Sequence, residues 1–274
     1  MTIIAASEKI KHNVQDGIFV IQLDDAKSLN SMTGHDYLYL GHLMEIADRD
    51  SAVYLTVLQS SGRFFSSGAN VGNIGAMQSA QDENGELGKW LSEFVSRNLF
   101  VTHVFAKHTK PIVCCLNGPA VGLSAAIVML CDVVYAMNNS VYLLFPFANL
   151  ALVTEGALSV TLPMKLGYNV ASEILTLARP VTFDQLNGKV VTRNYNLKDT
   201  QEFNSQVLQD LKRATGDLHK ESIPGMKRLL QRSVLDQMKR ANVDEVNDAL
   251  SYWVRGLPQQ RFREIKSKQR IHKM

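Results

Sequence analysis

A strand-turn-helix sequence in the middle of the chain has the pattern of an anion-binding site. Ile112 to Leu116 is a short apolar run typical of a strand buried on both faces, and Asn117-Gly118-Pro119 interrupts it with turn residues. The small, apolar segment from Gly122 to Leu130 then predicts a buried helix. The first N–H groups of such a helix have no intrahelical acceptor, and Gly122 has no Cβ to keep a ligand away. The pattern predicts a site for an anion or for an oxyanion that develops during a reaction.

Two polar residues elsewhere in the chain have apolar neighbours and could take part in chemistry. Asn98 lies in the apolar stripe of a predicted helix, so its amide needs a buried partner. Glu155 follows Leu152 and Val153, and an apolar pocket would raise its pKa toward the range that a proton shuttle needs. Both residues also have structural interpretations. Asn98 could serve backbone groups alone, and Glu155 could be a first-turn glutamate favoured by the helix dipole.

Ser124 suggests a different chemistry. The segment Gly122 to Ala126 is similar to a nucleophile elbow, but its fifth residue is not glycine. Only His219 and His272 follow it, and they do not complete an acid-then-histidine order. We therefore expect Ser124 to pack within a helix and not to act as a nucleophile.

The composition is that of an ordinary globular protein, with 46% hydrophobic and 20% charged residues. A net charge of +3 gives no indication of wholesale nucleic-acid binding. Cys114, Cys115 and Cys131 all fall in predicted core elements, which favours reduced thiols and an intracellular protein. Histidine and cysteine spacings predict no metal site. No apolar run reaches membrane-spanning length, and we expect no signal peptide.

The elements that must position these residues form two regions. In residues 1–197 the strand-turn-helix unit recurs roughly four times, whereas residues 198–274 contain predicted amphipathic helices and few strand signals. We expect a helix from Thr154 to Leu166, ended by a glycine, and a mobile loop from Gly72 to Gly88. Further predicted elements are a hairpin around Gln15-Asp16-Gly17 and a helix capped by Thr33.

Two loops resemble the oxyanion loops of the crotonase superfamily, which contains enoyl-CoA hydratases and isomerases. Phe64 to Asn70 is similar to the first loop, and Asn117 to Ala126 is similar to the second. Their order, their spacing and the helical tail also match, so the resemblance covers nearly the whole chain. It implies an α/β fold, a spiral of ββα units with a C-terminal helical trimerisation region. It also implies that the N–H groups of Ala69 and Leu123 bind the thioester carbonyl of an acyl-CoA. The substrate-binding residues that it implies are Ser67, Gly68, Ala69, Asn70, Val71 and Leu123.

The same resemblance indicates which reaction the site catalyses. It places the two hydratase carboxylates at Ala126 and Phe147, and neither side chain can transfer a proton. Glu155 matches the acid/base of the Δ3,Δ2-enoyl-CoA isomerases, and Asn98 matches an asparagine that orients it. The resemblance thus implies a Δ3,Δ2-enoyl-CoA isomerase of unsaturated fatty-acid β-oxidation that uses no metal or redox cofactor. The fungal peroxisomal isomerases are the most similar group, through stretches such as Pro146 to Leu150.

Several alternatives remain open at this point. A Δ3,5,Δ2,4-dienoyl-CoA isomerase and a non-catalytic acyl-CoA-binding protein would share the fold. Asn70 replaces the aspartate common in the family, and an asparagine can equally cap a following helix. The final residues His272, Lys273 and Met274 resemble a degenerate peroxisomal address, so an import receptor is an expected partner. We further expect a homotrimer or hexamer.

Overall fold

The computed structural model describes residues 4–70 and 83–269. Its strands are β1 (Ile10–Gln15), β2 (Ile18–Leu23), β3 (Leu55–Ser60), β4 (Ile112–Leu116), β5 (Ala120–Val121), β6 (Val133–Ala136), β7 (Tyr142–Leu144), β8 (Pro180–Thr182) and β9 (Val191–Asn194). Six of them form one sheet in the order β1-β2-β3-β4-β6-β9, and β5-β7-β8 form a second sheet. In the larger sheet β1 is antiparallel to β2, and every later neighbour is parallel. This is the α/β spiral that the sequence predicted.

The helices of the described residues surround these sheets. They are α1 (Gly34–Arg49), α2 (Glu83–Trp90), α3 (Ser96–Lys107), α4 (Leu123–Leu130), α5 (Leu158–Leu166), α6 (Tyr168–Leu177), α7 (Phe183–Leu186), α8 (Thr200–Thr215), α9 (Ser222–Gln231), α10 (Leu235–Val254) and α11 (Leu257–Lys266). A π-helical segment, Leu91–Val95, joins α2 to α3. The division into residues 1–197 and 198–274 remains a prediction, although α8 to α11 give the second range its expected helical character.

Local chemistry accounts for the first elements of the chain. The β1–β2 hairpin turns at Asp16 and Gly17, which both have positive φ, as a tight hairpin turn requires. Thr33 caps α1 in a capping box, in which its hydroxyl accepts from the Asp36 N–H and the Asp36 carboxylate accepts from the Thr33 N–H. The predicted hairpin and the predicted cap are both confirmed.

The centre of the larger sheet is buried on both faces. Every residue of β3 and β4 is buried, as is every residue of α4, in agreement with the apolar sequence around Ile112–Leu116. One face packs against α1, α3 and α4, and the other packs against apolar residues of α8 such as Phe203. The strand, the turn and the helix that follow one another at residues 112–130 are therefore fixed within the core. Cys114, Cys115 and Cys131 are buried and free, as predicted.

Two sequence-based expectations require correction. The helix predicted from Thr154 begins only at Leu158, because Gly156 and Ala157 have φ angles of 78° and 57°, which lie in the left-handed region. Glu155 thus precedes the helix and is not a first-turn residue. The loop predicted from Gly72 to Gly88 is helical from Glu83, where α2 begins, and residues 72–82 lie outside the described ranges.

The C-terminal helices fold back onto the core. α10 packs against α3 and α5, and α11 packs against the short turn Ala148–Leu150. Trp253 of α10 stacks among Trp90, Phe94 and Phe262, with ring centroids 4.5, 5.2 and 6.3 Å away. These aromatic contacts bring α10 and α11 to the edge of the site described below. No described helix is long and apolar enough to span a membrane, and the described histidine, cysteine and acidic residues form no metal-binding group.

Candidate active site

Two loops that leave β3 and β4 are joined to each other by backbone hydrogen bonds. The Phe65 N–H donates to the Pro119 carbonyl, and the Val121 N–H donates to the Ser66 carbonyl, both at 3.0 Å. Ser66 and Ala120 form an isolated parallel bridge. Ala69 and Leu123 each lie three residues beyond this bridge, so the parallel register brings them to corresponding places on the two loops.

Glycines allow the two loops to approach closely while leaving space for a ligand. Gly68 has φ 86°, and a Cβ at this position would lie 2.7 Å from the Val121 carbonyl oxygen. Gly122 has φ 61°, and apart from its own neighbours in the chain no described atom lies within 4 Å of the place a Cβ would occupy. The first glycine is therefore required for packing, whereas the second faces open space.

The backbone N–H groups of Ala69 and Leu123 are available to a ligand. The Met32 N–H donates to the Gly68 carbonyl, and the Asn70 N–H donates to the Met32 carbonyl, each with an N···O distance of 2.9 Å. Because Ala69 lies between these two residues, its own N–H points away from Met32. Leu123 is the first residue of α4, so its N–H has no acceptor within that helix. Within the described part of the chain, neither group donates to another backbone carbonyl. Two such donors on one wall of a cavity suit a developing oxyanion.

The predicted site residues largely line one cavity. Ser67, Gly68, Ala69, Leu123 and Glu155 all contribute to its wall. Asn70 lines an adjacent cavity that shares Ala69 with the first. Val71 lies outside the described residues, so its predicted contact with substrate is not described, nor is the helix that Asn70 was expected to cap.

Glu155 and Asn98 are hydrogen-bonded to each other across this site. The Asn98 side-chain amide donates to a carboxyl oxygen of Glu155. Asn98 is fully buried on α3, so the amide of the apolar stripe does have the buried partner that its position required. Burial is the largest influence on the Glu155 carboxyl and raises its pKa from 4.5 to about 7. The positive charge of Arg97 and the hydrogen bond from Asn98 oppose this rise, and the negative charge of Glu245 adds to it.

Arg97 is a residue of this site that the sequence analysis did not identify. Its Nε donates to the Asn98 side-chain oxygen at 3.0 Å, so the two polar atoms of that amide are held by Arg97 and Glu155. Arg97 also lines both adjacent cavities. Its position directly before Asn98 was the available signal, but an arginine beside an apolar stripe most often extends into solvent.

Residues 13–221 match the sequence profile described as enoyl-CoA hydratase/isomerase. The chain belongs to this family. The match covers most of the chain, including both loops, Asn98 and Glu155.

Curated relatives of this enoyl-CoA hydratase/isomerase family member include two proteins of Saccharomyces cerevisiae. The chain is 47% identical over 278 residues to a 3,2-trans-enoyl-CoA isomerase, covering 99% of each chain. It is 42% identical over 270 residues to a Delta(3,5)-Delta(2,4)-dienoyl-CoA isomerase, covering 98% of this chain and 100% of the relative. Among solved structures, Pseudomonas aeruginosa OdaA matches with a TM-score of 0.80 at 22% identity, over 94% of this chain and 99% of that one. This structural likeness supports the fold.

At the two positions where the resemblance places the hydratase carboxylates, this family member has apolar side chains. Phe147 is buried and lines the cavity, and Ala126 is buried within α4. A Cβ on Gly156 would lie only 2.6 Å from the Ala126 Cβ, so Ala126 packs against the main chain beside Glu155 and leaves no room for a side chain at residue 156. Among the described residues that line the cavity, Glu155 supplies the carboxylate.

Ser124 is held in a network of hydroxyl groups behind the loops. Its Oγ lies 3.0 Å from the Tyr37 hydroxyl and 2.9 Å from the Ser66 hydroxyl. Burial raises the pKa of Tyr37 further above its ordinary value, so Tyr37 is not a base that could activate the serine. The position agrees with the packing role predicted for Ser124.

Proposed function

We propose that this protein is a Δ3,Δ2-enoyl-CoA isomerase, which converts a 3-enoyl-CoA into the trans-2-enoyl-CoA. The observation that carries the proposal is Glu155, which lines the same cavity as Ala69 and Leu123 and accepts a hydrogen bond from the buried Asn98. The relative with 3,2-trans-enoyl-CoA isomerase activity, which matches this chain along its whole length, is independent support.

The two backbone donors would bind the thioester carbonyl oxygen. Removal of a proton from C2 places negative charge on that oxygen, and donors fixed before the reaction stabilise the resulting enolate. Each such donor lowers the barrier by about 3 kcal/mol in comparable sites. In this proposal Ala69 and Leu123 supply the stabilisation through backbone groups, so their side chains can vary more than their backbone geometry.

Glu155 would transfer the proton. Its carboxylate takes a proton from C2 and returns it to C4. One group suffices because C2 and C4 are close together and both can be reached from the same face of the planar dienolate. A pKa of about 7 suits both steps, since the group is a sufficient base when ionised and a sufficient acid when protonated. Asn98 keeps the carboxyl in place by its hydrogen bond, and Arg97 keeps the Asn98 amide in the donating orientation. Phe147, which also lines the cavity, provides no group to activate water, and this favours isomerisation over hydration.

The remaining parts of the proposal concern the setting of the enzyme. We infer an acyl-CoA substrate, no metal or redox cofactor, and a homotrimer or hexamer whose subunits associate through the helices of residues 198–274. We also infer import into peroxisomes through His272, Lys273 and Met274, which lie outside the described residues. The resemblance of this chain to fungal peroxisomal isomerases supports the location.

Turnover in heavy water tests the proton transfer. Purified protein is incubated with 3-cis- and 3-trans-enoyl-CoA in D2O, and the trans-2-enoyl product is analysed by mass spectrometry and NMR. We expect the wild type to form product, and we expect kcat of the variant Glu155→Gln to be lower by a factor of at least about a thousand. Glu221→Gln, which changes an exposed glutamate, is the matched control. Isomerisation by Glu155→Gln at the wild-type rate would refute the role of Glu155.

The second candidate is a Δ3,5,Δ2,4-dienoyl-CoA isomerase, which the 42% identical relative supports. Such a reaction moves a proton further along the acyl chain and is helped by a second acid. Phe147 does not provide that acid. A 3,5-dienoyl-CoA assay beside the 3-enoyl-CoA assay distinguishes the two activities by their kcat/KM ratio.

Two other classes of function give different results in the same assays. A non-catalytic acyl-CoA-binding protein would bind the thioesters in calorimetry without turnover of either substrate. A thioesterase acting through Ser124 would release free coenzyme A thiol, which a thiol reagent detects. We expect turnover of 3-enoyl-CoA without thiol release.

A further inference from the structure

One helix of the C-terminal region makes hydrogen bonds to both backbone segments that carry the acid/base pair. On α10, Asn242 and Glu245 are buried and lie three residues apart, which places them on the same face of the helix. The Asn242 amide donates to the carbonyl of Leu99, the residue after Asn98, at 3.0 Å. This hydrogen bond joins two residues that are 143 positions apart in the sequence.

Glu245 binds the other segment. Its two carboxyl oxygens accept hydrogen bonds from the backbone N–H groups of Ala157 at 2.8 Å and Ser159 at 2.7 Å. Ala157 is the residue before α5 and cannot cap the helix with its own side chain, and the first turn of α5 contains no acidic residue. Glu245 therefore supplies from α10 the cap that the local sequence lacks.

The capped turn is the turn that orients Glu155. Gly156 and Ala157 both have positive φ, and an alanine in that conformation costs of order 1 kcal/mol or more unless the surroundings hold it. The hydrogen bond from the Ala157 N–H to Glu245 is such a restraint. If this hydrogen bond were removed, residues 156–157 could relax toward the helical conformation, and the side chain of Glu155 would then point in a different direction.

We propose that Asn242 and Glu245 are positioning residues that together fix the distance between Asn98 and Glu155. The proposal deepens the proposed function, on which it rests for its kinetic consequences. It gives the C-terminal helical region a role inside the subunit's own active site, separate from subunit association.

Glu245 also has an electrostatic effect on the pair. The charged groups that act on Glu155 are Arg97 from α3 and Glu245 from α10. Glu155 in turn acts on Tyr37 of α1, and Asp244 acts on Glu245 from the same helix. The negative charge of Glu245 raises the pKa of Glu155, whereas Arg97 lowers it. Burial raises the pKa of Glu245 itself, and its hydrogen bonds from Ser159 and Ala157 act in the opposite direction.

Variants separate the two effects of Glu245. Glu245→Gln removes the charge and one of two acceptor oxygens, so we expect kcat to fall about tenfold or more with KM changed less than about twofold. The acid limb of its pH profile of kcat/KM, which reports the pKa of Glu155, should move to lower pH because the charge that raises this pKa is gone. Glu245→Asp keeps the charge but shortens the side chain, so kcat should fall while the acid limb stays. Asn242→Ala should also lower kcat without moving the acid limb.

Asp248→Asn is the control, because it removes the same charge from an exposed position one turn along α10. It should leave both kcat and the acid limb unchanged. Wild-type kcat in both Glu245→Asp and Asn242→Ala would overturn the positioning role. Equal shifts of the acid limb in Glu245→Gln and Asp248→Asn would overturn the local electrostatic role. Circular dichroism identifies any variant that fails to fold, and the remaining two variants then decide.

A spectroscopic measurement keeps the proposal separate from the proposed function. Difference infrared spectra report the carbonyl band of a protonated carboxyl group, and the variant Glu155→Gln assigns the band that belongs to Glu155. In Glu245→Gln that band should disappear at lower pH than in the wild type. If the wild type turns over no 3-enoyl-CoA or 3,5-dienoyl-CoA, the proposed function fails, and this titration still decides the interaction. An unchanged midpoint in Glu245→Gln would refute it.

Discussion

Replacing Glu155 with glutamine should change not only catalysis but also the way in which stability depends on pH. Burial raises the pKa of Glu155 to about 7 in the folded protein, from an ordinary value of 4.5 that the unfolded chain would retain. Below pH 4.5 the carboxyl is protonated in both states and has no effect on the free energy of unfolding. As the pH rises from 4.5 to 7, the unfolded chain releases the proton while the folded protein keeps it, so stability is lost.

The expected loss follows from the difference between the two pKa values. One pKa unit corresponds to about 1.4 kcal/mol, so the full effect above pH 7 is about 3 kcal/mol. This is an upper value, because Glu155 lines a cavity and is only partly buried overall. Glutamine has no proton to lose and can still accept the Asn98 hydrogen bond. The variant should therefore match the wild type near pH 4.5 and exceed its stability by up to about 3 kcal/mol at pH 8.

Urea unfolding followed by circular dichroism at a series of pH values measures this difference. The m-value should be the same for both proteins, so that the midpoint reports stability. Glu221→Gln provides the control, since that glutamate is exposed and its replacement should leave the pH dependence of the wild type intact. Parallel stability profiles for wild type and Glu155→Gln between pH 4.5 and 8 would refute the argument that burial raises the pKa of this carboxyl.

Other variants test the surroundings of the site. Arg97→Met removes the positive charge that lowers the pKa of Glu155. The acid limb of the pH profile of kcat/KM should therefore move to higher pH, and activity below pH 7 should fall several-fold. A shift of this limb to lower pH would contradict the prediction. Gly68→Ala should lower the free energy of unfolding by about 2 kcal/mol or more, because φ is 86° and the new Cβ would lie 2.7 Å from the Val121 carbonyl oxygen; urea unfolding measures the loss, and no change would contradict the close approach. Ser124→Ala should retain isomerisation while losing about 1 kcal/mol of stability with its hydroxyl contacts; a loss of turnover larger than the loss of folded protein would reopen its catalytic role.

The sequence was sufficient to predict the frame of the site. The apolar run at Ile112–Leu116, the turn after it and the small residues of α4 are determined locally, and the structure has them as predicted. The Thr33 cap and the hairpin at Asp16-Gly17 are also local, since each depends on residues within one turn. Features that depend on near neighbours in sequence could be predicted for this reason.

The position of Glu155 could not be predicted, because it depends on distant residues. Nothing in the local sequence indicates that Ala157 adopts a left-handed conformation, and a helix from Thr154 was the natural expectation. The cap that favours this conformation comes from Glu245, 88 residues further along the chain. The contact between Arg97 and the Asn98 amide was missed for a related reason, since the direction of a long side chain depends on the packing around it.

The contact between Gly156 and Ala126 has a consequence for which residues the chain tolerates beside its acid/base candidate. A Cβ on Gly156 would lie 2.6 Å from the methyl group of Ala126, and φ at this position is 78°. Any other residue at 156 would therefore meet both a steric clash with α4 and an unfavourable backbone conformation. Because Glu155 directly precedes this glycine, a side chain at residue 156 would displace the carboxyl group together with the turn that carries it.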